Sequence, residues 1–111
     1  MKMYNLEKFK GVFVALNAIY DDKDNVNISA MKELVKIYKT KGVSGVYVCG
    51  STGEGFLLSV EERKQVAAAV KEAAGDDFTV IVHVGCASTK ESIELAKHAE
   101  SIGADAASAV P

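Results

Sequence analysis

Five consecutive residues, Gly50-Ser51-Thr52-Gly53-Glu54, concentrate the chemistry of this 111-residue chain. Two hydroxyls and a run of backbone N–H groups offer donors to a ligand, and glycine lets a backbone approach one closely because it carries no Cβ. The pattern lacks the G-K-[ST] of a Walker loop and the G-x-G-x-x-G of a dinucleotide fold. A glycine-rich turn between a strand and a helix is also an ordinary structural device, so the residues alone leave a ligand site and a plain turn both open. Glu54 offers an acid or base. His83, closing a later apolar run, is either a residue of the site's rim or a neutral histidine satisfied in the core. Cys49 and Cys86 also end apolar runs, without the C-x-x-C spacing or histidine partners of a zinc site. Both are expected to be small buried or pocket-lining residues with no reactive role, and no metal site is expected.

The elements that must position these residues alternate between short β-rich runs and longer helical-period segments, the signature of a parallel α/β arrangement. Strands are expected over about 11–16, 43–49, 78–84 and 105–110, and helices over about 29–41, 59–74 and 88–102. Met31, Leu34, Val35 and Tyr38 form the buried stripe of the first helix, which Asn27 or Ser29 caps. The second helix begins at the capping box Ser59-Val60-Glu61-Glu62 and buries Val66, Ala67, Ala69, Val70 and Ala73. A second capping box, Ser88-Thr89-Lys90-Glu91, opens the third, whose stripe is Leu95, Ala96, Ala99 and Ile102. Tyr20 and Tyr47 read as packing residues, and a buried Tyr47 hydroxyl would need a partner.

Val12, Val46 and Val80 recur at intervals of 34 residues, but Ala106 follows after only 26, so the units are βα repeats with variable loops and not a solenoid. Short consecutive units of one pattern place every helix on the same face of a curling sheet. The expected fold is therefore α/β: four parallel strands and three helices forming the first half of a (β/α)8 TIM barrel.

Composition narrows the function. Thirteen Lys and Arg against fifteen Asp and Glu give a net charge of −2, which argues against a nucleic-acid partner. The longest apolar runs, residues 12–16 and 78–82, fall far short of the roughly 18 residues a membrane helix needs. The amino end is charged throughout and has no apolar signal region, so a cytoplasmic location is expected. Lys36, Lys39, Lys41, Lys64, Lys71, Lys90 and Lys97 fall on helix surfaces or ends, where a solvated cation is the default.

Taken with the following Gly55-Phe56-Leu57-Leu58-Ser59-Val60-Glu61-Glu62-Arg63, the Gly-Ser-Thr-Gly-Glu loop resembles the signature of the N-acetylneuraminate lyase and dihydrodipicolinate synthase family of (β/α)8 aldolases. Residues 11–16 and 42–54, His83-Val84-Gly85 with Ser88 and Glu91, and Gly103-Ala104-Asp105 extend the resemblance along the chain. His83-Val84-Gly85-Cys86 and Ser108-Ala109-Val110-Pro111 are similar to the lyase branch more than to the synthase branch. The resemblance implies a 2-keto acid substrate whose carboxylate is held by Ser51 and Thr52, with Gly50, Gly53 and Glu54 supporting the loop. It implies cleavage of N-acetylneuraminate to N-acetylmannosamine and pyruvate, without metal or organic cofactor, in a full-length enzyme. The Schiff-base lysine of the sixth strand and its assisting tyrosine on the fifth have no counterpart here. The chain is then the amino-terminal half of a lyase, inactive alone, with no catalytic residue of its own and either a homo-oligomer or a complementary barrel half as partner. Two other readings remain: a non-catalytic assembly module whose open strand edges pair with another copy, and a fragment of a related aldolase such as dihydrodipicolinate synthase. One departure stands out. Ala18 occupies the place where the family carries a threonine of a hydroxyl relay, which leaves Asn17 to substitute or the relay altered.

Overall fold

The computed structural model describes residues 5–110, so Pro111 and the first four residues of the charged amino end lie outside it. Four strands, β1 (Phe13–Ala15), β2 (Gly45–Val48), β3 (Thr79–His83) and β4 (Ala106–Ser108), alternate with three helices, α1 (Ile28–Thr40), α2 (Val60–Ala74) and α3 (Thr89–Ser101). The sheet runs in sequence order, and every neighbouring pair is parallel. Each strand is shorter than its apolar run. β1 loses Gly11 and Val12 because Gly11 turns through φ +105°, and Cys49 leaves β2 at φ +62°, a left-handed conformation that few side chains adopt.

Register explains the layering. Val14, Val46 and Val80 lie side by side, as do Val48, Val82 and Ala107. Alternation along a strand sends these residues to one face. There Val46, Val48, Val80 and Val82 are buried with Met31 and Val35 of α1, Val66, Val70 and Ala74 of α2, and Leu95 and Ala99 of α3. Adjacent helices pack on each other, α1 on α2 and α2 on α3. The opposite face carries Phe13, Ala15, Tyr47, Ile81, Ala106 and Ser108, none of them fully buried, together with Gly45, Thr79 and His83, which are buried. Near-continuous apolar strands predict cover on both faces, whereas among the described residues the face away from the helices is closed only at Gly45, Thr79 and His83.

Helix starts follow local chemistry. Asn27 caps α1 by accepting from the Ala30 amide at 3.0 Å. Ser59 and Glu62 form the full capping box of α2, with bonds of 3.1 and 2.9 Å, a device worth about 1 kcal/mol. The second box is only half formed: Ser88 accepts from the Glu91 amide at 3.3 Å, but the Glu91 carboxylate does not return to the Ser88 amide. It faces a cavity beside α2 instead.

At the amino ends of the strands a 3-10 turn, Glu7–Phe9, closes the sheet from below. The Lys8 carbonyl accepts from Thr79 Oγ1 at 2.8 Å, and Lys8 Nζ reaches Asp105 at 2.9 Å. The other Asp105 oxygen accepts from the Val80 amide at 2.8 Å. Burial alone would raise the Asp105 carboxyl, yet the Val80 amide and the Lys8 and Lys71 cations outweigh it and hold the group below the ordinary carboxylate range.

Candidate functional site: the carboxyl ends of the strands

The loop after β2 is built by close backbone approach. A Cβ on Gly53 would lie 2.8 Å from the Leu16 carbonyl oxygen and 3.0 Å from the Cys49 nitrogen, and one on Gly55 would collide with the Cys49 carbonyl. No side chain fits either position. The turn is closed by Glu54 N–H donating to Ser51 O and Gly55 N–H to Gly50 O, each at 3.0 Å. Between those bonds, the amides of Ser51, Thr52 and Gly53 have no backbone partner among the described residues. Ser51 and Thr52 are exposed, Gly53 is buried, and the loop stands at the carboxyl end of β2, where parallel βα units carry their sites. Its unengaged N–H and O–H donors suit a small anion, a carboxylate above all.

Glu54 sits in the left-handed region, at φ 56° and ψ 32°, with its carboxylate outside the loop. It accepts from the Tyr20 hydroxyl at 3.0 Å, so Tyr20 does more than pack. Burial raises the phenol's pKa, and the Glu54 bond and charge add to that, so the hydroxyl stays a donor. Tyr20 is placed by a small hairpin in the loop before α1: it bridges Val26, Asp21 N–H donates to Asn25 O at 2.8 Å, and Asn27 N–H to Ile19 O at 2.7 Å.

His83 is a core residue, 2% exposed, and ties three strand ends together. Its Nδ1 lies 3.0 Å from the Cys49 carbonyl and 3.3 Å from Arg63 Nη2, and its Nε2 lies 3.4 Å from the Val110 amide. The Val110 donor and the Cys49 acceptor together favour the proton on Nδ1, with Arg63 Nη2 donating to the His83 carbonyl instead. Phe56 meets the ring edge-on at 5.7 Å, and Tyr47 lies tilted at 6.2 Å. Burial lowers the imidazole's pKa; the Cys49 carbonyl opposes that shift, and the Arg63 cation reinforces it. Tyr47 finds its partner in Ser108, whose Oγ accepts at 3.0 Å.

Arg63, the last residue of the quoted signature, has a role that the motif did not state. It is 3% exposed, donates to the His83 carbonyl at 2.7 Å, the Gly85 carbonyl at 2.9 Å and Cys86 Sγ at 3.2 Å, and has no carboxylate partner among the described residues. Helical period carried the signal: Arg63 falls on the stripe of Val66, Ala67, Val70 and Ala74, which points it inward. Phe56, Ser59, Arg63, Cys86 and Glu91 line a cavity of about 200 Å³ beside α2, and neither Ser51 nor Thr52 belongs to its wall. Cys49 is buried, and burial pushes its thiol up to about 11, so it remains neutral; Cys86 is half-buried. Asn17 and Ala18 contribute no side-chain hydrogen bond among the described residues, so the only side-chain bond from the first loop to the Gly-Ser-Thr-Gly-Glu turn there is that of Tyr20. Among the described residues no group of three or more His, Cys, Asp or Glu side chains could hold a metal, and no helix is long and apolar enough to cross a membrane.

Known proteins share this fold. The N-acetylneuraminate lyase of Mediterraneibacter gnavus is 50% identical over 109 residues, which is 98% of this chain and 35% of that protein. The sialic acid aldolase of Ruminococcus gnavus superposes with a TM-score of 0.92 at 48% identity, over 95% of this chain and 35% of that one. Dihydrodipicolinate synthase from Aquifex aeolicus superposes at 0.86 with 32% identity, over 91% and 34%. The chain thus spans about a third of the length of these relatives and matches their amino-terminal portion, four strands and three helices of a TIM-barrel aldolase. The model of the dihydrodipicolinate synthetase family matches residues 8–111, and the chain belongs to that family.

Proposed function

We propose that this chain supplies the carboxylate-holding end of a cytoplasmic, oligomeric Schiff-base lyase, whose whole form cleaves N-acetylneuraminate to N-acetylmannosamine and pyruvate. The observation that carries the proposal is the turn at Ser51 and Thr52, whose donors stand open at the carboxyl end of β2. A 2-keto acid presents a carboxylate next to its reacting carbonyl, so fixing the first orients the second. Ser51 and Thr52 hold the carboxylate, Gly53 lets the turn sit against the end of β1, and Glu54 supports it from outside.

The amine that attacks the keto carbon comes from a lysine beyond residue 111. It displaces the carbonyl oxygen as water; the hydroxyl on the departing carbon then gives up its proton to a base and becomes the aldehyde of N-acetylmannosamine, while the iminium takes the electron pair of the breaking carbon–carbon bond as an enamine. Proton return and hydrolysis then release pyruvate. Residues 1–111 alone bind the keto acid weakly and turn nothing over.

Borohydride trapping with pyruvate, followed by intact mass spectrometry, tests both halves of the proposal. The whole protein is expected to carry one reduced pyruvate adduct and to release N-acetylmannosamine from N-acetylneuraminate, while the 111-residue chain carries none. An adduct on the chain alone would place the reacting amine among its own lysines. A whole protein that traps pyruvate but leaves N-acetylneuraminate intact would move the assignment to another branch of the family.

A further inference from the structure

We infer that Tyr20 is a positioning residue that keeps the loop's anion donors free, by holding the Glu54 carboxylate away from Ser51 and Thr52. The inference rests on the carboxylate-holding role proposed above. Glu54 lies two residues from Thr52 and is exposed, and its left-handed backbone places it at the corner of the turn. Its carboxylate is the same chemical group as the one the loop is proposed to bind. Carboxylate side chains readily accept from nearby backbone amides, so an unrestrained Glu54 competes with the substrate for unengaged N–H and O–H groups. It also sets a like charge beside the incoming carboxylate.

The Tyr20 hydroxyl removes that competitor by donating to Glu54 Oε2 at 3.0 Å across 34 residues of sequence. The phenol arrives already placed. Its neighbour Ile19 is fixed by its N–H donating to Met31 Sδ at 3.3 Å, and Asp21 accepts from the amides of Lys23 and Asn25 at 2.8 and 3.0 Å, so the hairpin tip is braced on both sides. Ala18, two residues earlier, has only a methyl group, which leaves Tyr20 as the hydroxyl that this loop sends to the turn.

The test is calorimetric titration of the whole protein with pyruvate, using Tyr20→Phe, Glu54→Gln, the double variant, and Ser51→Ala with Thr52→Val. Tyr20→Phe keeps the ring's packing and is expected to weaken pyruvate about fivefold, the order of one lost hydrogen bond near a charge. In the Glu54→Gln background the same change should have no effect, because no carboxylate is left to restrain; a role confined to stiffening the loop would not vanish in this way. An unchanged affinity in Tyr20→Phe, with Ser51→Ala/Thr52→Val still losing pyruvate, overturns the inference and leaves the proposed function standing. A Tyr20→Phe loss that persists beside Glu54→Gln also overturns it. Full affinity in Ser51→Ala/Thr52→Val removes the carboxylate-holding reading and this inference with it.

Discussion

The two ends of the sheet are built by different rules. At the amino ends, the Lys8 carbonyl, Thr79, Asp105 and the Val80 amide satisfy one another, and the ion pair of Lys8 and Asp105 closes the arrangement. At the carboxyl ends, among the described residues, a buried guanidinium works without a carboxylate, three non-glycine residues, Asp24, Cys49 and Glu54, take left-handed backbone, and three consecutive amides stand without backbone partners. The first end spends its polar groups on itself. The second leaves donors unengaged, and the proposed function gives them a carboxylate to hold, in line with the division of stability and function in parallel βα folds.

Arg63→Met separates structure from binding most severely. It leaves the His83 and Gly85 carbonyls without their donor in a buried setting, and a loss of about 3 kcal/mol is expected in urea unfolding. Ser51→Ala and Thr52→Val should each weaken pyruvate about tenfold in a titration, while shifting unfolding by less than about 0.5 kcal/mol, because neither hydroxyl supports the fold. Asp105→Ala should do the reverse: a loss of about 1.5 kcal/mol with pyruvate affinity unchanged, since only the Val80 amide and Lys8 lose a partner.

Acid should distinguish the ends more gently. His83 is held neutral when folded, so the unfolded chain takes up a proton that the native state refuses as the pH falls below 6.5, and stability declines there. Asp105 is held ionised when folded, so its contribution is present above about 3.8 and fades only as the pH falls through and below that value. Amide exchange measured at pH 7, 5 and 3.5 should therefore show protection lost first at Val110 and the end of β3, and last at Val80.

Much of the fold was legible because it rests on local period and caps. The valines that alternate in β2 and β3 set the register, and Ser59 with Glu62 marks the start of α2 within one residue. What escaped depends on distance in sequence. Tyr20 and Glu54 meet across 34 residues, and His83 meets the Cys49 carbonyl across the same interval, through a turn whose shape no spacing rule gives. Arg63 stands in the quoted signature, but the motif gives no role to it, and its place on the buried stripe of α2 is one that arginine seldom takes. The half-formed box at Ser88 shows the limit of a motif: Glu91 satisfies the pattern, but its side chain faces the cavity of Arg63 and Cys86. The Gly-Ser-Thr-Gly-Glu loop was found as a pattern, but the reason for its glycines, contact of Gly50 with Tyr47 and of Gly53 with Leu16 and Cys49, belongs to the fold alone.

A crystal structure of the whole protein soaked with pyruvate puts the division between the two ends to the test. The pyruvate carboxylate should lie about 2.7–3.0 Å from donors of Ser51 and Thr52, with Glu54 still bonded to Tyr20. Pyruvate bound elsewhere, with the Ser51–Thr52 turn empty, would contradict it and reduce the turn to a structural corner.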